Sequence, residues 1–276
     1  MIAPLRVQLR EATRYLPSWE ERSMRIVNWV LGLAWALSAL PASAVVGGRE
    51  GGPAEASTVM VLNARGGVCS GVVLSPKTVL TAAHCAAGGT ELRVHWRDGG
   101  EPVLLVPASV VLHPEFNAKA VSNRRRSIDL ALIRLSEPLP ARFTPATLDG
   151  GASPRAGSAV TLAGYGVSQE REARTTGTYR SAALEVIEPY GPGRILLWAA
   201  DPAGRGKTPG AGACQGDSGG AMFDGPAVVA ISSWSTGPAG RECGLLSQGV
   251  LVAPQRGWID LTLGQWGQTA RWSAPR

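Results

Sequence analysis

Many short apolar and β-branched runs are cut off by turn residues before a long helix can form, and this limits the fold more than any other feature. The 276 residues include 35 glycines and 20 prolines, and this punctuation favours strands joined by tight turns over a helical architecture. Runs at Val59–Leu62, Val68–Leu74, Leu92–Trp96, Val103–His113 and Leu130–Leu135 read as one β unit. A Pro, Gly and Ala stretch, Pro138–Gly157, reads as a linker. A second series follows at Ala159–Tyr165, Ala183–Glu188, Ile195–Trp198, Ala227–Trp234 and Gly249–Val252. Trp258, Leu261 and Leu263 then suggest one C-terminal helix packed on the second unit. With 45% hydrophobic residues, the chain can bury one large core or two small ones.

The net charge of +6 does not by itself indicate a nucleic-acid partner. The basic residues are scattered, aromatic residues are not interleaved with them, and the one basic cluster, Arg124–Arg126, reads as a solvated loop. The apolar segment Ile26–Leu40 is shorter than the roughly 20 residues a membrane-spanning helix needs, and it suits the core of a signal peptide. Arg25 supplies the positive flank if translation starts at Met24, and Ala42-Ser43-Ala44 fits signal peptidase. Residues 1–44 are therefore expected to be a leader, with an uncleaved anchor as the alternative. The mature chain is expected to be secreted or periplasmic, with no stable membrane span once the leader is removed.

Export implies an oxidising compartment. Four cysteines follow the leader, Cys69, Cys85, Cys214 and Cys243, and four cysteines pair in three ways. A Cys69 to Cys85 bond is the simplest local choice and would close a short loop, contributing about 3 kcal/mol by chain-entropy reasoning. No C-x-x-C pair argues for zinc, and no metal or cofactor is expected.

Three segments carry candidate chemistry. CQGDSGGAMF, Cys214–Phe223, sets Ser218 in a glycine-rich turn that can expose its hydroxyl and direct amide groups at a bound carbonyl. TAAHCAAG sets His84 beside Cys85. SIDLALIRL sets Asp129 at the head of an apolar strand, where a carboxylate must be paired or hydrogen-bonded. Taken singly, each has a plain reading: a turn serine, a core histidine, a capping aspartate.

Taken together, the order His84, Asp129, Ser218, within TAAHC, DLAL and GDSGG, resembles the chymotrypsin/trypsin-like serine proteases over residues 45 to about 265. The resemblance implies an all-β fold of two six-stranded antiparallel β-barrels with a C-terminal helix. It would divide the chain into barrels at residues 45–145 and 146–276. It implies a secreted serine endopeptidase acting through an acyl-enzyme on protein or peptide substrates, with protein inhibitors as a second class of partner. Ser218 would be the nucleophile, His84 the general base and acid, Asp129 its orienting partner, and the N–H groups of Gly216 and Ser218 the oxyanion hole. The disulfides it implies are Cys69–Cys85 and Cys214–Cys243.

The resemblance also gives ALPASAVVGG, residues 39–48, a second meaning. In this family a new amino terminus, here Val45, pairs with the aspartate before the nucleophile, here Asp217, and orders the oxyanion hole. Because the small-residue cleavage site abuts Val45 directly, signal-peptide removal would itself activate the enzyme. By the same alignment the specificity pocket has Gly212 as its floor and Ser233, Trp234, Ser235 and Gly249 as its walls. That neutral pocket suits aromatic or large aliphatic side chains. Glu242, at the rim, is the one feature that would help an Arg or Lys substrate. The segment corresponding to the family's calcium loop, Trp96–Pro102, carries only Asp98 and Glu101 as acids. The polar loop Val167–Ser181 reads as mobile surface. The alternatives are a catalytically silent binding protein of the same fold and a trypsin-like enzyme specific for Arg or Lys.

Overall fold

The computed structural model describes residues 45–274 apart from 53, 64–65, 88–90, 121–125, 152–153 and 189–193. The leader and most of the Arg124–Arg126 cluster lie outside the described residues. Among the described residues no helix is long and apolar enough to cross a membrane.

The first sheet takes strands from the N-terminal half of the described chain: β2 (Thr58–Asn63), β3 (Val68–Ser75), β4 (Thr78–Thr81), β5 (Leu92–Asp98), β6 (Glu101–Leu105), β7 (Pro107–Leu112) and β8 (Ala131–Leu135). Its order is β6-β5-β2-β3-β4-β8-β7, all antiparallel. The second sheet takes β1 (Arg49–Glu50), β9 (Thr147–Leu148), β10 (Ala159–Gly164), β11 (Arg180–Glu188), β12 (Leu196–Ala200), β13 (Ala221–Asp224), β14 (Ala227–Thr236), β15 (Leu246–Leu251) and β16 (Arg271–Trp272). Because β13 pairs with both β10 and β14, the strands β10, β11, β12, β15, β14 and β13 close into a six-stranded barrel. Closure leaves no free edge among those six.

Several elements differ from the sequence reading. The run Val103–His113 is two strands, because the chain breaks at Val106, just before Pro107, to pass from β6 to β7; Leu104 and Val106 point to solvent, 54% and 52% exposed. The Pro138–Gly157 stretch is not merely a linker, since Thr147 and Leu148 pair in parallel with β14 and β16. In the C-terminal helix, α2 (Arg256–Gln265), Ile259, Thr262 and Leu263 face the core, while Leu261 is 65% exposed. The helical period brings Ile259 and Leu263 onto one face and turns Leu261 away.

The packing matters most where the two sheets meet. One buried cluster joins Val72, Leu80 and Leu132 of the first sheet to Ala163, Phe223 and Ile231 of the second, with Ile259 and Leu263 of α2. Separate clusters fill each sheet's own interior. Val45, fully buried, belongs to the cluster inside the barrel and keeps company with Leu162, Leu184 and Leu197. The segment that opens the described chain is thus part of the second core.

Candidate active site

Neighbouring strand ends bring His84 and Asp129 together. β4 pairs with β8 so that Thr81 lies opposite Ala131, and the chain just after Thr81 therefore meets the chain just before Ala131. There a single short helical turn, α1 (Ala83–Ala86), presents His84. The Cys69–Cys85 disulfide fastens that turn to β3. The His84 backbone N–H donates to Asp129 Oδ1 at 2.8 Å, and His84 Nδ1 lies 2.6 Å from Asp129 Oδ2. The hydroxyl of Ser233, on β14 of the other sheet, donates to the same Oδ2 at 2.5 Å.

These contacts decide the charge on Asp129. Burial pushes its carboxyl up, but the hydrogen bonds and charge of His84 and the Ser233 hydroxyl outweigh burial and hold it below the usual carboxylate range. Asp129 thus stays ionised, and its remaining side-chain exposure is 13% against 42% for His84. A fixed anion on Nδ1 leaves Nε2 as the nitrogen available to exchange a proton. The sulfurs beside His84, of Cys69 and Cys85, are bonded to each other, so neither is a thiolate able to hold a metal.

Ser218 is half-buried in the loop between β12 and β13, and its carbonyl accepts from Ser70 N–H on β3 at 2.8 Å. The second disulfide, Cys214–Cys243, anchors this loop. The Gln215 carbonyl accepts from Val167 N–H at 2.8 Å; in a planar trans peptide this turns Gly216 N–H the opposite way. Among the described residues, the N–H groups of Gly216 and Ser218 donate to no protein acceptor. Gly216 has φ +98°, and a Cβ there would sit 2.7 Å from Gly166 Cα, so both its conformation and its space require glycine.

Asp217 is wholly buried. Its Oδ1 accepts from Gly166 N–H at 2.9 Å and its Oδ2 from Cys214 N–H at 3.0 Å. A Cβ on Gly166 would lie 2.5 to 2.6 Å from the carboxylate atoms, so the loop closes over the acid only because residue 166 lacks a side chain. Burial pushes the Asp217 carboxyl up to about 7, against the smaller opposing effects of those two N–H groups and of the Arg180 charge. The guanidinium of Arg180 is itself buried and directed to Glu50 at 3.0 Å. Val45 is internal to the chain here, its nitrogen a peptide amide. Val46 pairs with Gly212 and packs on Cys214, Cys243 and Val167.

The predicted pocket residues are only partly brought together. Gly212 is buried, and a Cβ on it would meet Ser247 Oγ at 3.0 Å; that hydroxyl accepts from Ala213 N–H at 2.9 Å. Gly249 instead abuts Met222 and Ala230 among the barrel strands. Ser233 is spent on Asp129, and Ser235 donates to the Glu242 carbonyl at 2.9 Å. Trp234, 42% exposed, packs edge-on against Trp198 at 5.9 Å. Glu242 accepts from Gln215 Nε2 at 2.7 Å. The loop at residues 167–181 is pinned rather than loose: Glu170 binds Arg241 at 2.9 Å and Glu242 N–H at 2.8 Å. In the Trp96–Pro102 hairpin, Asp98 is engaged by Arg142 at 2.6 Å. A cavity of about 1000 Å³ lined by Trp96, Phe143, Tyr165 and Tyr179 includes neither His84 nor Ser218 in its lining.

The sequence profile of the trypsin family matches residues 45–251. The chain belongs to the trypsin family of serine proteases. It is 28% identical to human (Homo sapiens) kallikrein-8 over 77% of this chain and 85% of the relative. It is 31% identical to human kallikrein-15 over 62% of this chain and 72% of the relative. Among solved structures, the mouse serine protease neuropsin superposes with a TM-score of 0.63 at 23% identity, covering 79% of this chain and 99% of that one. The trypsin-like fold and membership among the serine endopeptidases follow, and proteins are the substrate class.

The buried Asp217 has a measurable consequence for pH. A folded carboxyl raised to about 7 holds its proton well above the ordinary carboxyl value of 3.8. The folded state therefore binds more protons than the unfolded one between these values, and stability must fall as pH rises from about 4 to about 7. The expected outcome, for Ser218→Ala protein carrying a short extension before Val45, is a urea midpoint that declines over that interval. The same protein with Asp217→Asn, which lacks the titrating group, should show a flatter profile. Parallel profiles would contradict the assignment.

Proposed function

We propose that Ser218 attacks the substrate carbonyl while His84 takes its proton and later returns it to the leaving amine, with Asp129 holding His84 in place. The observation that carries this reading is the 2.6 Å contact between His84 and an ionised Asp129 beside a nucleophile loop whose Gly216 and Ser218 N–H groups are unspent. Two such donors aimed at a developing oxyanion contribute more in the transition state than in the ground state. Removal of the leader after Ala44, on secretion, releases the Val45 ammonium, which pairs with Asp217. Support comes from Val45 being fully buried, and from Val46 packing on Val167, whose N–H holds the Gln215 carbonyl. Insertion of the terminus and orientation of the oxyanion peptide thus share one residue.

For the specificity pocket we take Gly212 as the floor, with Ser247 replacing Gly249 as its neighbour. Neither brings a charge, so an Arg or Lys side chain finds no buried partner, whereas an aromatic or large aliphatic one loses only water. Glu242 at the rim is exposed and already bonded to Gln215, which makes it a weak anchor for a cation.

Replacing Ser218 by Ala should lower turnover by on the order of 10⁴- to 10⁶-fold with the fold retained. Amino-terminal sequencing of the same exported variant should read from Val45, since no self-cleavage is needed. Wild-type activity in Ser218→Ala would refute the nucleophile, and a terminus upstream of Val45 would replace signal-peptide activation by a self-activating precursor. A peptide-library profile of the mature enzyme should show cleavage after aromatic or large aliphatic residues. Preference for Arg would overturn the neutral pocket.

A further inference from the structure

Ser70 holds the nucleophile loop through both its backbone and its hydroxyl, and none of the roles above uses it. It is completely buried on β3 of the first sheet, directly after Cys69. Its N–H donates to the Ser218 carbonyl at 2.8 Å, and its carbonyl accepts from the Thr81 hydroxyl at 2.7 Å. Its own hydroxyl accepts from Tyr165 N–H at 2.8 Å and donates to the Gly216 carbonyl at 2.9 Å. The hydroxyl has one hydrogen to give, and it is given to Gly216.

The geometry of the turn makes that bond consequential. Two consecutive peptides lead through Gly216. The first is held by Val167 through the Gln215 carbonyl, and the second by Ser70 through the Gly216 carbonyl. Between them lies a glycine at φ +98°, which has little intrinsic preference of its own. Fixing both flanking carbonyls sets both backbone angles of Gly216, and with them the direction of its N–H. Without the Ser70 hydroxyl, the one hydrogen bond left on the second peptide among the described residues is that of Asp217 N–H, which donates to the Cys214 carbonyl at 3.0 Å.

We infer that Ser70 is a positioning residue for the oxyanion hole: its hydroxyl locks the Gly216 peptide so that the N–H is already aimed when the tetrahedral oxyanion forms. The inference rests on the reading of Ser218 as the nucleophile. It assigns to the first sheet a second catalytic duty besides carrying His84 and Asp129, because Ser70 spans from β3 to Tyr165 and Gly216 in the other half of the molecule. A group that pre-aims a donor acts on the transition state and leaves substrate affinity alone. Losing an oxyanion donor outright costs about 10²- to 10³-fold in rate, so loosening one should cost about ten- to a hundredfold.

The test compares wild type, Ser70→Ala and Ser70→Thr, each beginning at Val45 and checked for folding by thermal melt. For Ser70→Ala, kcat on a peptide amide should fall about ten- to a hundredfold while KM stays within about twofold. Affinity for a peptide boronate, which forms a tetrahedral adduct on Ser218, should fall by a similar factor, and affinity for the corresponding product acid should not change. Ser70→Thr, which keeps the hydroxyl, should recover most of kcat and boronate affinity. If Ser70→Ala does not fold, Ser70→Gly, with room for a water between Tyr165 and Gly216, takes its place with a smaller expected loss. Unchanged kcat and boronate affinity in the hydroxyl-free variant would overturn the inference. So would equal loss of boronate and product affinity, or a threonine variant as impaired as alanine. Inactive wild type that also fails to bind the boronate would instead overturn the reading of Ser218.

Discussion

A single carboxylate, that of Asp217, constrains everything around it. It is fully buried, it receives two backbone N–H groups, and its ordinary ionisation is opposed by desolvation. The loop that carries Ser218 closes over this acid only because Gly166 presents no side chain to it. Two hydrogen bonds from neutral amides lower the cost of a buried charge without removing it. In the proposed function, chemistry at Ser218 is tied to an event elsewhere in the chain, the freeing of an amine at Val45, whose side chain already sits in the second core.

The remainder of the site is a division of labour between two sheets. The first supplies His84 and Asp129 from adjacent strand ends, and Ser70 from β3. The second supplies Ser218, the N–H groups of Gly216 and Ser218, and Ser233, whose hydroxyl reaches back across to Asp129. The apolar seam through Val72, Leu132, Ala163 and Ile231 keeps these two sets of residues in register. A polar network bridging two cores needs a well-packed seam, since a slight slip between sheets would strand several buried groups at once.

The residues proposed to carry chemistry are legible in the sequence because they stand in local patterns: a histidine before a cysteine, an aspartate opening an apolar strand, a serine among glycines. The long strands were legible for a similar reason, since alternation and turn residues are local. What escaped depended on pairing over long separations. β13 and β9 are too short to announce themselves, and they exist because β14 lies beside them. Ser247 escaped because alignment of the CQGDSGG motif does not reveal which residue of β15 meets Gly212; the observed register pairs Gly249 with Ser232 and turns it to the barrel strands. Ser70 looks like any small polar residue in a strand, and its significance lies in partners 95 and 146 positions away. The loop at residues 167–181 reads as free surface from its charge, yet Glu170 fastens it to Arg241.

The central claim is that Ser218 becomes a competent nucleophile only when the Val45 ammonium neutralises Asp217. It is tested most directly by the rate at which a fluorophosphonate labels Ser218 in two otherwise identical proteins, one beginning at Val45 and one with a single alanine before it. The reagent needs the oxyanion hole and the activated hydroxyl but no specificity pocket. The account predicts labelling on the order of a hundredfold slower in the extended protein, comparable to the loss of an oxyanion donor. Equal labelling rates would contradict it.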